Sequence, residues 1–143
     1  MEMQRTFAMI KPDAVEDKHI GHIVTMIEQA GFKIAGLKML QFTKQCGQMF
    51  YAVHSARPFF GELVDHISSG PVVAMVLEKE NAVVAWRDLI GATDPAKAAE
   101  GTVRQRYARN IGANAVHGSD ATETAQDEIA MIFPELSGRK GCC

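Results

Sequence analysis

The sequence predicts an α+β sandwich, a mainly antiparallel sheet lying under helices. Three observations carry that expectation. Segments with strand character are separated by stretches of helical period or by a long loop. One segment, Val72 to Leu77, is continuously apolar, as a central strand covered on both faces should be. Only four strands can be counted, too few for a doubly wound parallel sheet.

Each element has its own signal. Arg5 to Ile10 reads as a strand, and Pro12 ends its pairing. Ile20, Ile23, Val24 and Ile27 fall at helical spacing, with Gly31 as a C-terminal cap. Phe32 to Leu40 reads as a second strand, with Gly36 marking a bulge. Thr43 caps a short helix carrying Cys46, Met49, Phe50 and Val53. Pro58 suits the first position of a helix carrying Phe59, Phe60, Leu63, Val64 and Ile67. A turn at Ser69-Gly70-Pro71 leads into the central strand. Asn81 caps a helix with Ala82, Ala85, Trp86 and Leu89 on one face. Gly91 to Gly112 reads as a long loop, and loops of that length in compact domains usually carry function. Ala115-Val116-His117 forms a short edge strand. Asp120 and Glu123 then make a capping pattern for a helix carrying Ala125, Ile129 and Ile132, limited by Pro134.

Length and composition bound the function. One domain spanning residues 1–143 is expected, able to bury roughly 70% of the unfolded chain's surface. Apolar residues make up 47% and charged residues 22%, as in ordinary soluble domains. A net charge of -2 gives no global case for nucleic acid or anionic membrane, so any anion site must be local. No apolar run is long enough to span a bilayer, and the N-terminus lacks signal-peptide character. Cys46, Cys142 and Cys143 make no disulfide framework, and a reducing cytoplasmic setting is expected. The tail pair reads either as exposed thiols or as a redox or metal site.

Phosphate-binding loops with invariant spacing are absent: there is no G-x-x-x-x-G-K-[ST] and no G-x-G-x-x-G. Side chains must therefore do most of any phosphate binding. Lys97, Arg104, Arg106 and Arg109 lie in the long loop, Arg87 just before it, and Lys11 at the end of the first strand. Such cations suit a polyphosphate if they converge, and are surface charge if they do not. Among five histidines, His19 and His22 read as exposed polar residues or a metal pair, and His54 and His66 end predicted helices, where a cation is favourable. His117 lies between a strand and a helix start, beside Gly118, whose missing side chain lets a large group approach.

The segment Asn114-Ala115-Val116-His117-Gly118-Ser119-Asp120 resembles the active-site signature of nucleoside diphosphate kinases. The resemblance continues in order through Arg5 to Asp13, Arg57-Pro58-Phe59-Phe60, Ser69 to Val72, Leu89 to Pro95 and Gly101 to Arg104. It implies a ferredoxin-like sandwich with a four-stranded, mainly antiparallel sheet and helices packed on it. It implies a ping-pong exchange in which the Nδ1 atom of His117 takes the γ-phosphate of a nucleoside triphosphate and gives it to a diphosphate. By resemblance, Lys11, Arg87, Thr93 and Arg104 hold phosphates, with Lys11 and Asn114 near the ribose hydroxyls. Phe59 stacks on the base with Ile111 opposite, Tyr51 lies beside the histidine and lysine, and Ser119 and Glu128 orient the imidazole. Mg²⁺ is expected to arrive with the nucleotide, held mainly by phosphates and water rather than by the protein. A homo-oligomer, tetramer or hexamer, is also implied, with nucleoside di- and triphosphates as the small-molecule partners and no specific nucleic acid.

The chain departs from the family pattern at Gln105-Arg106, where an acid usually stands, so a contact stabilising the loop is expected to be lost or rerouted. On the residues alone, Phe59 and Phe60 point about 100° apart on a helix, so one belongs to the core. Trp86 reads as core, and Asp120 as a helix cap. Two other classes compete. A nucleic-acid binder on such a sheet needs paired exposed aromatics, which the predicted strands lack. A phosphohistidine relay domain needs a helical bundle.

Overall fold

The computed structural model describes residues 3–137. Four strands form one sheet in the order β2-β3-β1-β4: β1 (Met3–Ile10), β2 (Lys33–Gln41), β3 (Pro71–Glu80) and β4 (Val116–Gly118). All three pairings are antiparallel, with Ile10 opposite Val73 and Met9 opposite His117. The eight helices among the described residues are α1 (Pro12–Glu16), α2 (Ile20–Gln29), α3 (Lys44–Phe50), α4 (Phe60–Ile67), α5 (Ala82–Ile90), α6 (Val103–Tyr107), α7 (Thr122–Ile132) and α8 (Pro134–Ser137). The four-stranded antiparallel sandwich expected from the sequence is present, and its strand content removes the helical-bundle alternative.

The period-two rule explains why the sheet is buried on both sides. Ala8, Ile10, Val73, Met75 and Leu77 face Ile23 and Ile27 of α2 and Trp86 and Ile90 of α5. The alternate residues Phe7, Met9, Val72, Ala74 and Val76 face Phe50, Ile67, Ile129 and Ile132 of α3, α4 and α7. Burying each such large side chain contributes about 1.5–3 kcal/mol. Central β3 therefore needs the continuous apolar run read from Val72 to Leu77.

Several local signals operate as expected. Thr43 Oγ1 accepts from Cys46 N at 3.0 Å, Gly31 ends α2 with φ +91°, and the β2–β3 register shifts between Ile34 and Gly36. Others are overridden. Pro58 precedes α4 rather than starting it, and Phe59 is the N-cap. Asn81 does sit at the N-cap of α5, but at φ +51° its side chain makes no capping bond. Gln4 Oε1 of β1 accepts from Val83 N instead, at 3.0 Å. Asp120 does not cap α7, whose N-cap is Ala121. A neighbouring arginine takes that carboxylate.

The long loop is more ordered than its composition suggests. It contains a 3₁₀ turn at Pro95–Lys97 and the helix α6, capped by Thr102 Oγ1. At the unusual pair, Gln105 Oε1 accepts from Gly101 N at 3.2 Å, while Arg106 is exposed. The tether to the body comes from Arg109, whose fork grips Asp17 at 2.6 and 2.7 Å.

Cys46 is buried and disulfide-bonded, which departs from the expectation that the cysteines make no disulfide framework. Cys142 and Cys143 lie outside the described residues. No described helix is long and apolar enough to cross a membrane.

Candidate active site

His117 occupies the middle of edge strand β4, so its backbone is held by β1 while its side chain is left partly open. Its Nε2 is 3.0 Å from Glu128 Oε1 of α7, and Ser119 Oγ donates to the same oxygen at 2.6 Å. A carboxylate only accepts, so Nε2 carries the proton of the neutral ring. The lone pair is then on Nδ1, which makes no hydrogen bond among the described residues. Edges of Phe50, Phe7 and Tyr51 close round the ring at centroid distances of 5.1, 6.1 and 6.5 Å. Trp86 Nε1 donates to His117 O at 3.1 Å, fixing the strand from below.

Gly118 lines the same cavity as His117, but the direction its side chain would take points away from it. A Cβ there would lie 2.9 Å from Trp86 Cδ1, so the missing side chain makes room for the indole. Tertiary packing against Trp86 thus demands the glycine, a reason separate from the expected room for a ligand group.

Three cations converge on the imidazole from separate elements. Lys11, at the end of β1, is buried and donates from Nζ to Asn114 Oδ1 at 2.9 Å. Burial, then the charge of Arg104, lowers its pKa to about 8. Arg104 of α6 donates to the carbonyls of Asn114, Gly91 and Val116 at 3.3, 3.0 and 2.9 Å. Burial and then Arg87 bring its pKa down to about 10, which still leaves it charged at neutral pH. Arg87 of α5 pairs with Asp120 at 2.9 Å, both side chains being well exposed. Such a pair is worth about 0–1 kcal/mol, so a phosphate can displace the carboxylate at little cost.

The depressed Lys11 value has a consequence for pH. Lys11 loses its charge as pH rises through about 8, and with it an attraction for phosphate. ATP affinity, measured by calorimetric titration, is expected to weaken at least about tenfold between roughly pH 7 and pH 9.5. A flat profile would show that Lys11 does not hold the anion.

These groups line a cavity of about 730 Å³, within the range of small-molecule sites. Phe59, 43% exposed, and Ile111, 60% exposed, line the same cavity and supply apolar surface suited to a planar ring. Asn114 spends its carboxamide on Lys11 and on Thr93 O, the latter at 3.3 Å, tying the loop to β1. Tyr51 is buried against the cavity; burial and then the charges of Glu128 and Asp13 push its phenol well above the ordinary range, so it stays protonated.

The structure therefore gathers all the residues expected to touch a nucleotide into one cavity, with Ser119 and Glu128 behind the imidazole. Lys97, Arg106 and Arg109 do not line it. His19 and His22 pack on Tyr107, at 4.7 and 5.6 Å between centroids. Among the described residues no three His, Cys, Asp or Glu side chains cluster as metal ligands. Sequence reasoning missed Asp13 and gave His66 only a helix-end role, although their side chains pair at 2.9 Å beside the site. The only local signal was the placement of Asp13 next to Lys11-Pro12.

An imidazole with one uncommitted nitrogen, facing three convergent cations and an apolar slot on an antiparallel α+β sandwich, defines a class: phosphotransferases that act on nucleotides. The family model for nucleoside diphosphate kinase matches residues 4–137. The chain belongs to the nucleoside diphosphate kinase family. It is 59% identical to the Flavobacterium psychrophilum nucleoside diphosphate kinase over 133 residues, covering 93% of this chain and 96% of that protein. A Bradyrhizobium nucleoside diphosphate kinase is 56% identical over 133 residues, covering 93% and 95%. The Aquifex aeolicus nucleoside diphosphate kinase superposes with a TM-score of 0.92 at 45% identity, covering 95% of this chain and 99% of that one. The Halobacterium salinarum enzyme, solved in complex with CDP, gives 0.89 at 43% identity, covering 92% and 88%.

Proposed function

We propose that the chain, acting as a single domain, transfers the γ-phosphate of a nucleoside triphosphate, typically ATP, to a nucleoside diphosphate, with His117 carrying the phosphoryl group between them. The observation that carries this reading is the 3.0 Å contact from His117 Nε2 to Glu128, which leaves the lone pair on Nδ1. In the first half-reaction that lone pair bonds to the γ-phosphorus, and the bond from phosphorus to the β-γ bridging oxygen breaks. The nucleoside diphosphate leaves with those electrons. The second half-reaction reverses these steps on a different diphosphate.

Phosphoryl transfer depends mostly on positioning and charge stabilisation. Lys11, Arg87 and Arg104 supply the charge, Thr93 a phosphate contact, and Lys11 and Asn114 contacts to the ribose. Tyr51, as an uncharged phenol, bounds the space beside the imidazole and the lysine. Phe59 and Ile111 hold the base by its faces rather than its edges, which supports broad base specificity and service to both NTP and dNTP pools. Mg²⁺ suits this site as an ion that comes with the nucleotide. The lining carboxylates are Glu62 and Asp120, and Asp120 is engaged by Arg87. Phosphates and water would hold most of the ion, with Asp120 reaching it through water, and the ion would add neutralising charge. We also place the protein in the cytoplasm as a homo-oligomer, tetramer or hexamer. Strand β2 supports assembly: it is a sheet edge with Leu37 and Met39 more than half exposed.

Incubation with γ-labelled ATP is expected to give labelled protein whose label is acid-labile, base-stable and discharged by GDP as labelled GTP. A label that survives acid, or that GDP does not remove, rejects the phosphohistidine reading.

A further inference from the structure

Ala115 lies two residues before His117 and has φ +74°. Val116 N donates to Asn114 O at 2.9 Å, so Ala115 is the centre of a γ-turn of the positive-φ kind. That conformation costs an alanine on the order of 1–3 kcal/mol and persists only where the surroundings impose it. Here they act on both ends of the residue. Lys11 N donates to Ala115 O at 2.8 Å, and Ala115 N donates to Asp13 Oδ2 at 2.9 Å. The other oxygen of Asp13 meets His66 Nε2 of α4, again at 2.9 Å. Asp13 is 3% exposed, and the transfer reaction described above gives it no task.

We propose that Asp13 is a positioning residue for His117, held in its orientation by His66. The inference rests on the phosphohistidine reading. Asp13 presents one oxygen to the strained peptide and one to His66, so the carboxylate cannot rotate away from Ala115 without breaking the second bond. The turn it holds joins Asn114, which grips Lys11, to the strand that presents the imidazole. Burial alone would raise the Asp13 pKa, but bonds from His66 and Ala115 outweigh it and keep the group below the usual carboxylate range. It therefore stays an acceptor on both sides at neutral pH. Without the acceptor, Ala115 N–H is buried and unpaired, and the turn relaxes toward negative φ. Strand β4 then re-aims Nδ1 relative to the γ-phosphate. A misplacement of about 1 Å at a reacting atom can cost about 100-fold in rate.

The test is single-turnover phosphorylation of the full chain at saturating ATP, with ADP affinity measured in parallel. Asp13→Ala is expected to phosphorylate about 30-fold more slowly while ADP affinity changes less than about threefold. Asp13→Asn keeps an oxygen for Ala115 N–H and is expected to recover to within about threefold of the parent. His66→Phe, which removes the donor and leaves Asp13 in place, is expected to lose about three- to tenfold, and His66→Gln to restore it. The His66 pair decides the matter even if Asp13→Ala fails to fold. A parental rate in Asp13→Ala, equal defects in its Asn and Ala variants, or a parental rate in His66→Phe overturns the proposal. If the parent itself takes no label on His117, the phosphohistidine reading fails and this one with it. If the parent is labelled and the variants match it, only this inference fails.

Discussion

His117→Gln is expected to give a protein that takes up no phosphoryl group from ATP. Its turnover should fall by at least on the order of 10⁴, as loss of a covalent nucleophile does elsewhere. The glutamine amide still offers an N–H toward Glu128, so the pocket behind the ring keeps its donor. What it lacks is the second nitrogen with a lone pair. Nucleotide affinity is expected to hold within about threefold, because the cations and the apolar slot are untouched. Protein mass after incubation with ATP, together with coupled steady-state rates, checks both halves. Substantial phosphorylation of the variant at another residue would move the nucleophile away from His117.

Arg104→Met is expected to be the next most damaging change, for two separable reasons. Losing a charge aimed at the transferring group costs about 10²–10³ in rate, the scale seen when a single preorganised donor is removed. The same substitution strips a donor from the carbonyls of Asn114, Gly91 and Val116. Asn114 O keeps its bond from Val116 N, but a carbonyl left buried and unpaired costs about 1–3 kcal/mol, so the thermal midpoint should fall by several degrees. Arg104→Lys restores charge but cannot reach three carbonyls at once, so it should recover part of the rate and little of the stability. Parental melting with lost activity would mean the carbonyl bonds carry no stability. Parental activity with lowered melting would remove Arg104 from the reaction.

How far the sequence was legible follows the range of each interaction. The sheet was readable because Val72 to Leu77 and the segments around it encode burial locally. The His117 neighbourhood was readable because its residues are contiguous and resemble a known signature, and that resemblance brought Lys11, Phe59, Arg87 and Arg104 with it. Errors fell where a side chain faced both a local and a distant partner. Asp120 has capping chemistry for the adjacent helix but pairs with Arg87, 33 positions away. Asn81 has the right type for a cap, yet Gln4, distant in sequence but on β1 opposite Lys79, supplies the bond. Gly118 was read against a ligand alone, and the demand of Trp86 for the same missing side chain was not visible. Asp13 bonds across 102 positions to a peptide N–H, a partner that no residue type can announce.

Trp86 carries a consequence of a different kind. It is the chain's one tryptophan, it is shielded from solvent, and its indole N–H bonds to the backbone of His117 itself. All of the protein's indole emission thus comes from a chromophore wired to the strand that presents the imidazole. Light emitted from this ring reads the geometry and local field of one peptide group, with no background to subtract. In the mechanism proposed above, the free and phosphorylated states differ by a dianion next to that peptide. The fold has placed an optical gauge directly beneath the point of exchange.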